Sequence, residues 1–335
     1  MLSNLYKNKI LSSNTLKKLL EEDEQLQNKN HAINALIRHQ KKHLSLINDA
    51  YEQLNRIKSK TIEIDGIDFE VDFNQLRKQN TIAEINKKTI ESQNCFLCPE
   101  YLYPEQMGIK MMDFIAFLNP RPIYINHLTL VKEHKPQHIK KSIVSSMVKL
   151  TKDIYPYRLL YNSPGSGATM STHMHLQAIP YKAPIENEFI KRENVVKLKN
   201  NNIHVLKFPS RVLVVEGENK DVVKDISEIL NEIKNLRYLD EEWGRHIVSI
   251  WGRYLPEKDI HQFFVIPRSK WRSHDYGLEE DKIACSPGTL EMCGKIIVAN
   301  KSTFDKMDEK LIRRILDEVS MRKGNFEELI KRLFS

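Results

Sequence analysis

The chain has 335 residues, 41% of them apolar and 29% charged, the balance of a soluble globular protein large enough for two cores. Fifty-two Lys and Arg against 44 Asp and Glu leave a net charge of +8. This excess reads first as a Lys-rich solvated surface and second as attraction of a small polyanionic substrate. No long basic block with interleaved aromatics appears, so no nucleic acid is expected as partner. No apolar run has the length of a membrane span or of a signal-peptide core. The expectation is a cytoplasmic protein with no membrane partner, a monomer or a homodimer.

Leu16, Leu19 and Leu20, then Ile33, Leu36 and Ile37, recur at helical spacing. They predict helices across residues 14–57, broken at Asn28-Lys29-Asn30. The stripe is too short for a sustained heptad, so these helices are expected to pack on the body of the protein. From Thr61 the apolar period changes to two, and Asp65-Gly66 interrupts it, which predicts a β-hairpin. Residues 117–131 read as strand, Pro-rich turn and strand, residues 140–155 as helix, and residues 158–161 as strand.

Tyr161–Ser171 is a loop of small residues, with Gly165 and Gly167 able to bring backbone N–H groups close to an anion. In Thr172–Pro180 the residues His173, Met174, His175, Leu176 and Gln177 alternate polar and apolar. This predicts a strand with both imidazoles and the amide on one face. A phosphate-cradling loop that feeds a strand of aligned imidazoles suggests phosphorus chemistry with a histidine nucleophile.

Downstream, residues 204–208 and 211–215 read as strands and 220–235 as a helix. Residues 245–253 and 260–268 look like a second copy of the central hairpin. Aligning Val265-Ile266-Pro267 with Ala178-Ile179-Pro180 puts Gln262 opposite His175 and Ile260 opposite His173. The second copy therefore lacks the histidine pair. Residues 286–295 are rich in turn formers, and residues 308–333 close the chain as amphipathic helix.

Cys95-Phe96-Leu97-Cys98 is a Cys-x-x-Cys, either a redox pair or half of a metal site. Pro99 and Glu100 follow it where a thioredoxin-like motif needs a helix. A zinc site needs four N or S ligands. Its other members come from His127, His134 or His138, and from His173 or His175. Cys285 and Cys293 read as ordinary buried thiols.

His173–Gln177 behind an Asn-Ser-Pro-Gly-Ser-Gly-Ala loop (residues 162–168) resembles the galactose-1-phosphate uridylyltransferase branch of the histidine-triad superfamily. That branch includes the diadenosine tetraphosphate phosphorylases and the GDP-hexose phosphorylases, and its mark is Gln in place of a third His. The resemblance runs from about residue 65 to about 320 and is closest to a bacterial group akin to the GDP-hexose phosphorylases. It implies an α+β fold of two histidine-triad-like repeats, antiparallel sheets flanked by helices, with an N-terminal helical extension. The corresponding division is a helical extension over 1–60, a catalytic half over 61–195 and a degenerate half over 196–335.

The resemblance also implies residue roles. Cys95, Cys98, His134 and His173 would hold a structural zinc, with His127 as the alternative to His134. His175 would be the nucleophile of a double displacement, assisted by Gln177 and Ser166. Arg77, Asn119, Asn162, Ser163, Gly165 and Gly167 would contact substrate, although Gln75 stands where the branch has Pro before this Arg. Related loops often carry Lys where Gly165 stands, so Arg77 or Arg268 is expected to substitute for it. The implied enzyme is a nucleotidyltransferase or phosphorylase acting on a nucleoside-diphosphate sugar, with inorganic phosphate or a phosphate ester as second substrate. The alternatives are a UDP-sugar uridylyltransferase, a diadenosine polyphosphate phosphorylase, and a nucleotide-binding regulator without turnover.

Overall fold

A computed structural model describes residues 2–21, 31–78, 92, 94–191, 193–197, 202–236 and 247–334. The expected helix break at residues 28–30 and the start of the second hairpin at Arg245 and His246 lie outside the described residues.

The first hairpin forms as expected. β1 (Lys58–Ile64) pairs antiparallel with β2 (Ile67–Phe73). Asp65 and Gly66, at φ 54° and 75°, supply the left-handed pair that a two-residue hairpin turn requires. Eleven further strands follow: β3 (Gly108–Met111), β4 (Phe114–Leu118), β5 (Leu128–Val131), β6 (Arg158–Asn162), β7 (His175–Ile179), β8 (Val195–Lys197), β9 (Ile203–Leu206), β10 (Val212–Gly217), β11 (Ile247–Leu255), β12 (Ile260–Arg268) and β13 (Lys295–Val298). β13 lies parallel beside β2 in a three-stranded sheet, and the other ten strands form one antiparallel sheet. The fold is thus α+β.

The large sheet runs β3-β4-β5-β7-β6-β11-β12-β10-β9-β8. Its halves mirror each other across the β6–β11 pair. β4, β5, the helix Lys141–Asp153, β6 and β7 recur as β9, β10, the helix Asn219–Asn235, β11 and β12. The register agrees: Gln177 faces Thr129 and Leu160 on its neighbours, and Phe264 faces Val214 and Trp251 in the same way. Phe264 is therefore the counterpart of Gln177, and Gln262 the counterpart of His175.

Both helices carry apolar residues at three-to-four spacing, among them Val144, Met147 and Val148 in one and Val222, Ile226 and Ile229 in the other. These stripes cover one face of the sheet together with Met174, Leu176 and Ala178 of the central segment. The N-terminal helices Ser13–Glu21, His31–His43 and Ser45–Asn55 extend the same layer through Ile33, Leu36 and Ile47. They pack on the body, as their short stripe predicts. The other face is covered by the small sheet and by the helix Glu309–Val319, whose start is capped by the Asp308 carboxylate on the Leu311 N–H at 2.8 Å. Ile179 points to this second face, and so do His175 and Gln177 by alternation. Among the described residues no helix is long and apolar enough to cross a membrane.

In the second half, the position that corresponds to His175 is closed by charge. Glu186, fully buried, accepts from Arg158 Nε at 3.1 Å, from Trp251 Nε1 at 3.0 Å and from Arg253. Arg253 Nε in turn donates to Gln262 Oε1 at 2.8 Å. Each buried charge has its partners, so the network is sound only when complete. Glu186→Ala strands the Arg253 guanidinium, and we expect a loss of about 3–5 kcal/mol, read as a shift of the urea unfolding midpoint. A shift below about 1 kcal/mol would show that water replaces the carboxylate.

Candidate functional site

Four ligating side chains come together where the first half's central strand begins. Cys95 and Cys98 sit in a tight turn, closed by Cys98 N–H on the Cys95 carbonyl at 2.9 Å. His134 follows β5, and His173 lies two residues before the start of β7. Cys95 Sγ is 3.2 Å from His173 Nδ1, Cys98 Sγ is 2.9 Å from His134 Nδ1, and all four ligand atoms lie within 4.8 Å of one another. A tetrahedral ion with these donors has edges of about 3.5 Å, so the set can hold a metal. Burial, and then Cys95, push the Cys98 thiol up to about 12. A bound cation reverses that tendency by holding a coordinating sulfur as thiolate. His127 stands apart, its Nδ1 accepting from the Ile123 N–H at 3.3 Å.

The ladder of β7 starts at His175, three residues later than the alternation from Thr172 predicts. Gln137 takes the place of a neighbouring strand there. Its side chain accepts from His175 N–H at 2.8 Å and donates to the His175 carbonyl at 2.6 Å. Nothing in the sequence marks Gln137, whose glutamine lies in a turn-rich stretch without period.

His175 is 7% exposed, and its Nδ1 lies 2.8 Å from the His173 carbonyl. A carbonyl only accepts, so Nδ1 carries the proton and Nε2 keeps its lone pair. Burial holds the ring below the ordinary imidazole range, and the ring is neutral near pH 7. Gln177 is oriented by a similar argument. His127 Nδ1 accepts a backbone N–H, so its Nε2 donates to Gln177 Oε1 at 3.1 Å. The amide N–H₂ of Gln177 is then left for another acceptor.

Both side chains line a cavity of about 370 Å³, with Arg77, Asn119, Gly167 and Thr169 among its other walls. Phe96, Tyr101 and Tyr103, each between 39% and 49% exposed, border the same cavity. Arg77 is steadied by the carbonyl of Arg121 at 3.2 Å. Asn119 donates to Thr129 Oγ1 at 2.9 Å and accepts the Arg121 N–H at 2.8 Å.

Other expected contacts are redirected. The Ser166 hydroxyl donates to the carbonyls of Ser163 and Val248, at 2.9 and 3.1 Å, and Ser163 Oγ accepts the Val248 N–H at 2.8 Å. Both serines pin the loop to β11, and neither is a wall of the cavity. Asn162 Oδ1 accepts from Thr289 N and Oγ1, at 2.9 and 2.8 Å. Gly165 shapes the turn at φ 76° and is not a wall of the cavity. Arg268 is no substitute for a loop lysine: it is buried, and its guanidinium is spent on the carbonyls of Ser166, Pro287, Lys270 and Trp271. The turn-rich stretch 286–291 thus acts as a backing for the loop. Thr169 is the polar loop residue that does reach the cavity.

Two family profiles match the chain side by side. Residues 36–180 match a domain of unknown function, DUF4922, and residues 182–335 match a GDPGP1-like C-terminal domain. GDP-L-galactose phosphorylase 2 of Arabidopsis thaliana is 25% identical over 233 residues, which is 66% of this chain and 51% of that protein. GDP-L-galactose phosphorylase 1 of the same plant is 25% identical over 230 residues, 64% and 48% of the two chains. The chain thus spans about half the length of these relatives. Among solved structures, yeast Ap4A phosphorylase Apa2 superposes with a TM-score of 0.56 at 16% identity, over 83% of this chain and 96% of that one. Its complex with Ap4A gives 0.52 at 13% identity, over 83% and 96%.

The backing of the loop is testable. Gly167 has φ 114°, and a Cβ there would lie 2.9 Å from the Gly288 Cα. Gly167→Ala should cost about 1–3 kcal/mol in urea unfolding. Gly324→Ala, whose added methyl meets nothing within 4 Å, is the control and should be neutral or stabilising by up to about 1 kcal/mol.

Proposed function

We propose that this chain, a GDP-hexose phosphorylase-like member of the histidine-triad superfamily, is a nucleotidyl phosphorylase that works through a nucleotidyl-histidine. The observation that carries the reading is the orientation of His175. Its Nδ1–H is held by the His173 carbonyl at 2.8 Å, which leaves the Nε2 lone pair for an electrophile in the cavity.

In the first half-reaction Nε2 attacks the α-phosphorus of a nucleoside-diphosphate hexose, and the bond to the bridging oxygen breaks. Hexose 1-phosphate leaves with that electron pair, and the nucleotide remains on His175. Inorganic phosphate then attacks the same phosphorus, releasing nucleoside diphosphate and restoring the free imidazole. The Gln177 amide, oriented by His127, is placed to donate to a phosphoryl oxygen without adding charge. Arg77 supplies a guanidinium for the phosphates. Gly167 and Thr169 stand in the loop's phosphate-facing role, Asn119 is assigned to the ribose, and Phe96, Tyr101 and Tyr103 offer faces for a base.

We assign zinc to Cys95, Cys98, His134 and His173, where two thiolates and two imidazoles suit its preferences. It would fix the chain just before the nucleophile and take no part in bond making. A cytosolic setting, where thiols stay reduced, suits such ligands.

Incubation of the purified protein with phosphate and a panel of nucleoside-diphosphate sugars should release nucleoside diphosphate from one class, GDP-hexoses foremost. His175→Gly should abolish this while melting within a few degrees of wild type. Phosphorolysis that survives His175→Gly, or no turnover with any member of the panel, would overturn the reading in favour of another nucleophile or a regulator. Metal analysis should find about one zinc per chain, and Cys95→Ser should lower both zinc content and melting temperature. An active, well-folded protein without metal would contradict the zinc assignment.

A further inference from the structure

Tyr6 is fully buried although it stands in an arm of chain that precedes every strand. Its hydroxyl donates to the Leu97 carbonyl at 2.6 Å, inside the Cys95–Cys98 turn. The same oxygen lies 3.5 Å from His173 Nε2. His173 turns its other nitrogen, Nδ1, toward the sulfurs of Cys95 and Cys98, at 3.2 and 3.6 Å. An ion bound through Nδ1 takes that lone pair and leaves the ring proton on Nε2. The group facing this N–H is the Tyr6 oxygen, which has already given its own proton to Leu97 and has lone pairs to accept one. A single side chain thus touches the supports of both parts of the ligand set, the ring plane of His173 and the backbone of the cysteine turn.

The arm has its own anchors. Leu11 N–H donates to the Gly108 carbonyl at 2.9 Å, and Lys9 Nζ to the carbonyls of Tyr103 and Pro104 at 2.7 and 3.1 Å. Leu2 and Ile10 pack on the apolar cluster that contains Tyr6, Cys95, Cys98 and Met170. The Tyr6 ring lies 5.8 Å, centre to centre, from Phe117, a wall of the cavity. The arm therefore packs on the ligand cluster and, through Phe117 and Tyr103, on two walls of the cavity.

We infer that Tyr6 is a positioning residue of the metal centre, and that metal binding and docking of the 2–11 arm reinforce each other. The inference rests on the reading of Cys95, Cys98, His134 and His173 as a metal site. Outer partners of this kind fix tautomer and ring orientation and commonly change metal affinity by about 10–100-fold. Linkage makes the effect reciprocal: the factor by which a docked arm tightens metal binding is the factor by which metal tightens docking.

The test uses the full chain, stripped of metal and titrated with cobalt(II) and zinc(II) against a chromophoric chelator. Tyr6→Phe keeps the ring and removes only the hydroxyl. It should bind both ions about 10–100-fold more weakly than wild type and shift the visible cobalt–thiolate bands. Leu5→Ala trims an exposed side chain of the same arm and leaves the Tyr6 contacts in place, and it should bind within about threefold of wild type with unchanged bands. In wild type, amide exchange of residues 2–11 should slow when metal is added. Wild-type affinity and bands in Tyr6→Phe, an equal loss in Leu5→Ala, or exchange indifferent to metal would each overturn the inference. A wild-type chain that takes up neither ion would remove the metal reading itself, and the inference with it.

Discussion

The contact between His175 Nδ1–H and the carbonyl of His173, 2.8 Å long, joins the ligand cluster to the cavity. On one side of it the His173 ring belongs to the sulfur and nitrogen cluster with Cys95, Cys98 and His134. On the other side the His175 ring offers its second nitrogen to the cavity. A carbonyl that strayed from this line would free the imidazole to rotate or to exchange tautomer. The surrounding structure holds it in place: Lys132 N–H donates to the Met174 carbonyl at 2.9 Å, and the Gln137 amide grips both backbone groups of His175. Aim of this kind depends on packing and hydrogen bonds around a side chain more than on the side chain itself.

The two-repeat sheet explains how one half serves the other. β6 and β11 lie side by side at its centre, so the loop after β6 runs along the second half and is bonded to it. Arg268, on the second half's copy of the central strand, gathers carbonyls from that loop and from the 286–291 stretch. The second half carries no imidazole where His175 has its counterpart, and its equivalent position is filled by Glu186, Arg158, Arg253 and Gln262. A cleft lined by one repeat is thus backed by bonds to the other, while the second half's equivalent position holds a buried charge network drawn from both halves. Such a network is costly to break and adds little when intact.

Much of this could be read in the sequence where local chemistry is distinctive. Asp65-Gly66 fixes a hairpin turn, and a Cys-x-x-Cys with spare histidines downstream narrows the ligands to a few choices. Helical stripes such as Val144, Met147 and Val148 have no other use than burial. The loop serines were harder, because a hydroxyl beside glycine looks the same whether it meets an anion or a carbonyl. Ser166 meets Val248, 82 residues away, and only the pairing of β6 with β11 brings them together. Arg268 is misleading for the same reason, since a guanidinium suits phosphate and carbonyls alike. Gln137 and Tyr6 act through a few long-range bonds that leave no local pattern.

The central claim is that His175 carries the nucleotide. It is tested most directly by incubating the protein with a nucleoside-diphosphate hexose in the absence of phosphate, quenching at alkaline pH where phosphoramidates persist, and sequencing the digest by mass spectrometry. One nucleoside monophosphate is expected on the peptide containing His175, discharged when phosphate is added and absent from His175→Gly. An adduct on His173, or turnover with no adduct at any histidine, would contradict it.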